Sequence, residues 1–222
     1  MTSPRFSSLS RRIYELRRNL LPRNFDPVGL YSDRVYERTR AFRVLAHAEF
    51  EAYIEDRCLD ILHKAHLEWK STGVIRPCLL SLMAHHEAIA KPSNPTGGTV
   101  PKLLGNIPEG LSDLSDSSKK YPTLASKIET AKKHYSTYVR EKNHGIKERN
   151  LLILLLPLGV VKHEIDSAWL LATEGWATER GKVAHTSASG KMQVQIDPKA
   201  EFNTVLQVLT GFKKMDGILN QK

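Results

Sequence analysis

Apolar residues recur every three or four positions along most of the 222-residue chain, and this spacing predicts helices with little sheet. The longest series follows Ser32, a suitable N-cap residue, and keeps one apolar face for about ten turns. Such a series forms either two helices or one long helix that serves as the spine of a bundle. Its apolar positions are Val35, Phe42, Ala46, Phe50, Tyr53/Ile54, Ile61/Leu62, Ala65 and Trp69.

Shorter helical patterns stand on both sides of this series. The N-terminal stretch is rich in arginine and serine but has no continuous apolar segment, which favours an ordinary first helix over a secretory signal. The segment "PCLLSLMAHHEAIA" begins at Pro77, and proline is tolerated at the first helical position. A later helix, stopped by Gly145, has an apolar side made of Leu124, Ile128, Tyr135, Tyr138 and Val139.

The last third of the chain continues in the same way. We predict an apolar segment ending at Pro157, helices at about 161–173 and 176–185, a weakly extended "KMQVQID", and a closing helix opened by Asp197 and Pro198. Residues 91–122 hold five prolines and four glycines, which predicts an irregular loop. The sequence thus predicts an all-α fold: one helical-bundle domain over 1–222, with a proline/glycine-rich loop excursion and a closing helix at 197–222.

Charge and cysteine content narrow the choice of partner and compartment. A net charge of +9 favours a polyanionic partner, nucleic acid first and an anionic membrane surface second. The longest apolar run is about half of a membrane span and contains Pro157 and Gly159, so we expect no membrane partner. A lipid-binding bundle that uses the basic first helix is a lesser alternative. Both cysteines fall in apolar helical patterns, which favours a cytoplasmic protein.

Metal and nucleophile motifs are missing from the sequence. Nine histidines invite a metal hypothesis, but there is no HExxH and no paired CxxC, which favours structural or surface histidines. There is also no GxSxG elbow and no glycine-rich phosphate loop. We therefore expect no metal and no cofactor.

Two pairs of arginine and histidine remain. Arg140 and His144 are four residues apart, on one predicted helical face, where cations near a C-terminus offset the helix dipole. Arg180 and His185, in "ERGKVAHTS", are five apart, and on a helix that spacing separates them by about 140°. They would meet only across a two-fold axis that collects both residues from two copies.

Such a cluster has a simple chemistry. A histidine exchanges a proton near neutral pH, and a guanidinium binds a phosphate through paired hydrogen bonds. Because RNA carries its own nucleophile in the 2′-hydroxyl, these two residue types suffice for strand cleavage without a metal. The alternative is a surface arginine and a histidine at a helix end.

Three longer segments accompany this motif. They are "AHAEFEAYIEDRCLDIL", "NHGIKERNLLILLLPLGV" and "EIDSAWLLATEGWATERGKVAHTS". Together they resemble the RiboL-PSP-HEPN group of the HEPN superfamily, from about Arg34 to the closing helix. The resemblance implies a helical, homodimeric and metal-independent ribonuclease.

The resemblance also implies roles for individual residues. Arg180 and His185 would be the catalytic pair, Arg180 stabilising the phosphate and His185 moving protons. Lys182 would contact the RNA backbone or remain a solvated lysine. The other implied substrate-binding candidates are Thr186 and Ser187, which cap the helix end or bind a phosphate, and His144, near the cleft.

One position departs from the family pattern. Many HEPN toxins have a tyrosine two residues after the histidine, where this chain has Ser187, so modification of that tyrosine cannot control it. The resemblance implies RNA cleavage by 2′-hydroxyl attack, in phage defence or toxin-type growth arrest, with an antitoxin or activator protein as a candidate partner. The alternative is a non-catalytic adaptor of the same fold that binds nucleic acid or a protein.

Overall fold

The computed structural model describes residues 2–90, 123–185 and 195–222. Over these ranges the chain forms α-helices and short 3₁₀ and π turns, with no strand, which confirms the all-α prediction. The predicted loop at 91–122 and most of "KMQVQID" lie outside the described residues. The helices are α1 (Pro4–Leu20), α2 (Asp33–Thr72), α3 (Pro77–Ala90), α4 (Leu124–Thr137), α5 (Glu148–Leu155), α6 (Ser167–His185) and α7 (Pro198–Leu219).

Contacts divide the described parts of the chain into two compact units. The first unit draws on Met1–Tyr53, Gly145–Glu148 and Asp166–Gly217, and the second on Ile54–His144, Arg149–Ile165 and Ile218–Lys222. Helix α2 contributes residues to both. The single domain predicted over 1–222 is not tested by this division and stays a prediction.

The long apolar series forms one uninterrupted helix, α2, of 40 residues, or about 60 Å. The carbonyl of Ser32 accepts hydrogen bonds from the N–H groups of Val35 (2.9 Å) and Tyr36 (3.2 Å), which starts the helix. No proline or glycine interrupts it. It ends at Gly73, whose φ of +75° suits a glycine cap and whose N–H bonds the Trp69 carbonyl at 2.8 Å.

Helices α1 and α7 are joined within the first unit by a buried carboxylate. Asp216 of α7 accepts hydrogen bonds from the backbone N–H and the hydroxyl of Ser3, both at 2.6 Å. The Tyr53 hydroxyl of α2 donates to the same carboxylate at 2.8 Å. Ser3 is also the N-cap of α1, so one carboxylate fixes the start of the first helix.

Helix α6 corrects a prediction, because the two helices expected at about 161–173 and 176–185 are one helix. Its start is later than predicted: the carboxylate of Asp166 accepts from the N–H groups of Ala168 (3.0 Å) and Trp169 (3.2 Å), as an N-cap does. Gly175 lies inside the helix, in contact with no other element. An isolated glycine weakens a helix without having to end it.

Helix α4 ends differently from the prediction. It passes into a π turn over Tyr138–Lys142, and Asn143 is already extended, so Arg140 and His144 do not share a helical face. Leu124 is wrongly predicted as core, since it is 51% exposed. The remaining predicted apolar residues, Ile128, Tyr135, Tyr138 and Val139, are buried as expected.

The apolar segment of the sequence forms α5 and a 3₁₀ turn, Leu156–Leu158, that contains Pro157. Neither α5 nor any other helix in the described ranges is long and apolar enough to cross a bilayer.

The closing helix is confirmed as α7. It begins at Pro198, and the Asp197 carboxylate accepts from the N–H of Ala200 at 2.7 Å. Its predicted apolar residues are all buried: Val205, Leu209, Phe212, Met215 and Leu219.

Candidate active site

The structure describes the predicted catalytic residues unequally. Arg180 lies in the penultimate turn of α6 and is partly buried, and its Nε has no hydrogen-bond partner among the described residues. His185 is the last residue of α6, and for it and Lys182 the description covers the backbone alone. Thr186 and Ser187 lie outside the described residues.

The register of α6 separates positions 180 and 185. Arg180 follows Trp169, Thr173 and Trp176 at the 11-, 7- and 4-residue spacings of one helical face, and these three residues are buried. Position 185 follows Leu171 by two heptads, and Leu171 is 72% exposed. Because the helix is continuous, the two positions lie about 140° apart around its axis.

A histidine that the sequence analysis did not single out lies near Arg180. His47 of α2 is 2% exposed, and its ring centre is 5.7 Å from that of Trp176, with the planes tilted by 36°. A Cβ atom at Gly145 would lie 3.6 Å from Cε1 of this ring, and Gly145 has a φ of +118° that favours glycine. His47 is therefore enclosed by backbone and indole.

The surroundings keep the His47 imidazole neutral. Burial, and secondly the positive charge of Arg180, lower the pKa of His47 to about 4. The Glu51 carboxylate approaches Nδ1 only to 3.6 Å, beyond hydrogen-bond distance, and Nδ1 has no other partner in the part of the chain described. A neutral imidazole has one donor and one acceptor nitrogen.

A buried carboxylate completes this region. Glu201, in the first turn of α7, accepts a hydrogen bond from the indole N–H of Trp176 at 2.7 Å and pairs with the guanidinium of Arg43. We call Arg43, His47, Trp176, Arg180 and Glu201 the Arg180 cluster; all five belong to the first unit. Since Arg43 neutralises Glu201 and His47 is neutral, the cluster carries a net charge of +1.

The sequence held a partial signal for this cluster. Arg43, His47 and Glu51 are spaced by four on α2, a polar stripe on a helix whose neighbouring positions, such as Phe42 and Phe50, are buried. His47 also stands in "AHAEFEAYIEDRCLDIL". What no local pattern contains is the proximity of α2 to Arg180, more than 130 residues later in the chain.

His144 has a different environment. It is exposed and follows the π turn, whereas its neighbour Asn143 is buried and donates to Glu55 at 2.7 Å. His144 belongs to the second unit and Arg180 to the first, so a role for His144 in the site stays a prediction.

Other chemistries find little material in the described ranges. No group of three or more His, Cys, Asp or Glu side chains there could hold a metal ion. His66 contacts Glu129 at 2.8 Å, and His86 contacts the Met83 carbonyl at 2.9 Å. Burial raises the pKa of the Cys58 thiol to about 12, so this thiol is a poor nucleophile.

The chain was compared with protein-family models, with curated proteins and with solved structures. None of these comparisons gives a match, so membership of the HEPN superfamily stays a prediction.

Proposed function

We propose that this protein is a metal-independent endoribonuclease of the HEPN type that acts as a homodimer. The observation that carries the proposal is Arg180: a partly buried guanidinium whose Nε hydrogen has no partner among the described residues. A buried donor left unpaired costs free energy, and a phosphate oxygen would satisfy it through a strong, charge-assisted hydrogen bond. The cluster's net charge of +1 favours the same ligand.

The proposed reaction needs only the RNA and two kinds of side chain. His185 takes the proton of a 2′-hydroxyl, whose oxygen attacks the adjacent phosphorus. Arg180 stabilises the negative charge that develops on the phosphate oxygens. The bond from phosphorus to the 5′-oxygen breaks, a histidine returns a proton to that oxygen, and the products are a cyclic phosphate and a 5′-hydroxyl.

The outward face of α6 supports the homodimer. Ala168, Leu171, Ala172 and Gly175 are exposed there, and a Cβ at Gly175 would contact nothing within 4 Å. Small side chains let two helices pack closely, and a two-fold axis on this face would bring position 185 of both copies together. The net charge of +9 favours the RNA partner.

We place this activity in the cytoplasm, in phage defence or toxin-type growth arrest, with an antitoxin or activator as a further partner. The competing candidate is a non-catalytic adaptor of the same fold. The exposed face of α6 would serve its assembly equally well, so only a test of cleavage separates the two.

The test uses purified protein and bulk cellular RNA in EDTA. Wild type is compared with the variants Arg180→Ala and His185→Ala, and the fragment ends are mapped. We expect cleavage with 5′-hydroxyl ends by wild type and by the control Arg140→Ala, whose arginine is exposed on the π turn. Cleavage by His185→Ala protein would contradict the catalytic assignment, and intact RNA in every lane would favour the adaptor.

A further inference from the structure

Trp176, one helical turn before Arg180, is held on several sides. The His47 ring lies against it, and Phe50 meets it edge-on, with ring centres 5.8 Å apart and planes at 88°. Its indole N–H donates to Glu201. The helical turn that carries Arg180 is therefore fixed by side chains from α2 and α7.

The hydrogen-bonding groups of His47 and Arg180 are complementary. Nδ1 of His47 and Nε of Arg180 are both buried, and within the described ranges neither has a hydrogen-bond partner. A guanidinium only donates, whereas an uncharged imidazole has an acceptor nitrogen as well. The Arg180 charge is felt at His47, so the two groups share one environment.

The other charged groups around His47 are already engaged or too distant. Arg43, one turn before it on α2, is paired with Glu201. Glu51, one turn after it, lies 3.6 Å from Nδ1. Arg180 is the remaining cation whose orientation His47 can influence.

We propose that His47 is a positioning residue that presents the acceptor Nδ1 to the Arg180 guanidinium and so orients it toward the scissile phosphate. This inference rests on the proposed ribonuclease function for its effect on cleavage. It does not make His47 a catalytic residue, because the buried ring has no access to the 2′-hydroxyl.

Three substitutions separate the ring nitrogen from the packing of the ring. His47→Phe keeps a flat ring against Trp176 but has no nitrogen. His47→Asn places an amide oxygen close to the position of Nδ1, and His47→Gln places its amide near Nε2 instead. A purely structural histidine would be best replaced by Phe, whereas a positioning Nδ1 would be best replaced by Asn.

The first measurement does not need activity. In ¹⁵N-edited spectra, the Nε–H signal of Arg180 is assigned by its loss in Arg180→Lys, and its exchange with water is timed. We expect exchange at least about tenfold faster in His47→Phe and His47→Gln, and near the wild-type rate in His47→Asn. Wild-type exchange in all three variants would overturn the proposal.

The second measurement is RNA cleavage. We expect kcat to fall about 10- to 100-fold in His47→Phe and to recover in His47→Asn. In the Arg180→Ala background, His47→Phe should cause no further loss, because residues that act through one another are not additive. A full additional loss would overturn the proposal.

The two measurements can fail separately. Fast exchange in His47→Phe together with no cleavage by wild type would leave the contact between His47 and Arg180 established and reject the ribonuclease. Should His47→Phe not fold, the contrast between His47→Asn and His47→Gln still decides: equal exchange rates in these two variants would overturn the role of Nδ1.

Discussion

His47 and Asp216 are both buried ionisable residues of the first unit, but their surroundings differ. The Asp216 carboxylate accepts short hydrogen bonds from Ser3 and Tyr53, so its charge is compensated where it lies. Nδ1 of His47 has no hydrogen-bond partner in the described part of the chain, and the ring avoids the cost of a buried charge by staying neutral. Asp216 therefore matters for stability at neutral pH, and His47 for stability in acid.

Removing the Asp216 carboxylate should destabilise the fold. Asp216→Ala leaves the N–H of Ser3 and the hydroxyl of Tyr53 without that acceptor in a buried site. We expect a loss of about 3 kcal/mol in the free energy of unfolding, measured by urea denaturation at pH 7. The control is Asp33→Ala, an exposed aspartate in the first turn of α2, which should cost less than about 1 kcal/mol. Equal losses in the two variants would contradict a structural role for the buried carboxylate.

His47 should make stability depend on pH. Below pH 6.5 the unfolded chain binds a proton on this ring, whereas the folded chain binds it only near pH 4. Unfolding is therefore favoured as the pH falls from 6.5 to 4, and the effect then levels off, with a total of about 3 kcal/mol. The free energy of unfolding of wild type and His47→Gln, measured between pH 7 and pH 4, should show this extra decline in wild type only. Parallel curves would mean that His47 titrates normally in the folded state.

At the scale of the elements, apolar spacing predicted most helices because their buried faces repeat locally. The bounds of α3 and the apolar face of α7 follow from Pro77 and from the series Val205 to Leu219. The π turn and the continuity of α6 through Gly175 were missed, because both depend on what the neighbouring elements permit. The Arg180 cluster was missed for the same reason, since Arg43 and Glu201 meet across 158 residues.

Close packing between α6 and α7 gives a further prediction. A Cβ at Gly211 would overlap the Trp169 ring, whose N–H donates to the Val208 carbonyl at 3.2 Å. Gly211→Ala should therefore cost about 3 kcal/mol through overpacking. Gly217, on the same helix, would have no atom within 4 Å of an added Cβ, so Gly217→Ala should be neutral or stabilise by up to about 1 kcal/mol. Thermal unfolding of both variants checks this contrast, and a stable Gly211→Ala protein would show that Trp169 can move.

At the scale of the whole molecule, the net charge of +9 predicts how RNA binding responds to salt. Each phosphate of a single strand that the protein neutralises contributes about −0.7 to the slope of log affinity against log salt. We expect a clearly negative slope for the catalytically silent Arg180→Ala, His185→Ala double variant binding a single-stranded RNA. Filter binding or fluorescence anisotropy across a salt series measures it. A flat response would argue against binding dominated by the RNA backbone.

The proposed homodimer can be tested on the outward face of α6. Leu171 is 72% exposed, and Leu171→Glu would place two carboxylates against each other across the proposed two-fold axis. Val28 is 79% exposed in the first unit, outside α6, so Val28→Glu is a control of equal chemistry at another place. We expect Leu171→Glu to sediment as a monomer and to lose RNA cleavage while its melting temperature stays near wild type, because no core contact is removed. Val28→Glu should remain dimeric and active. A monomeric Leu171→Glu protein that still cleaves RNA would show that one chain holds a complete site, and a dimeric one would place the interface elsewhere.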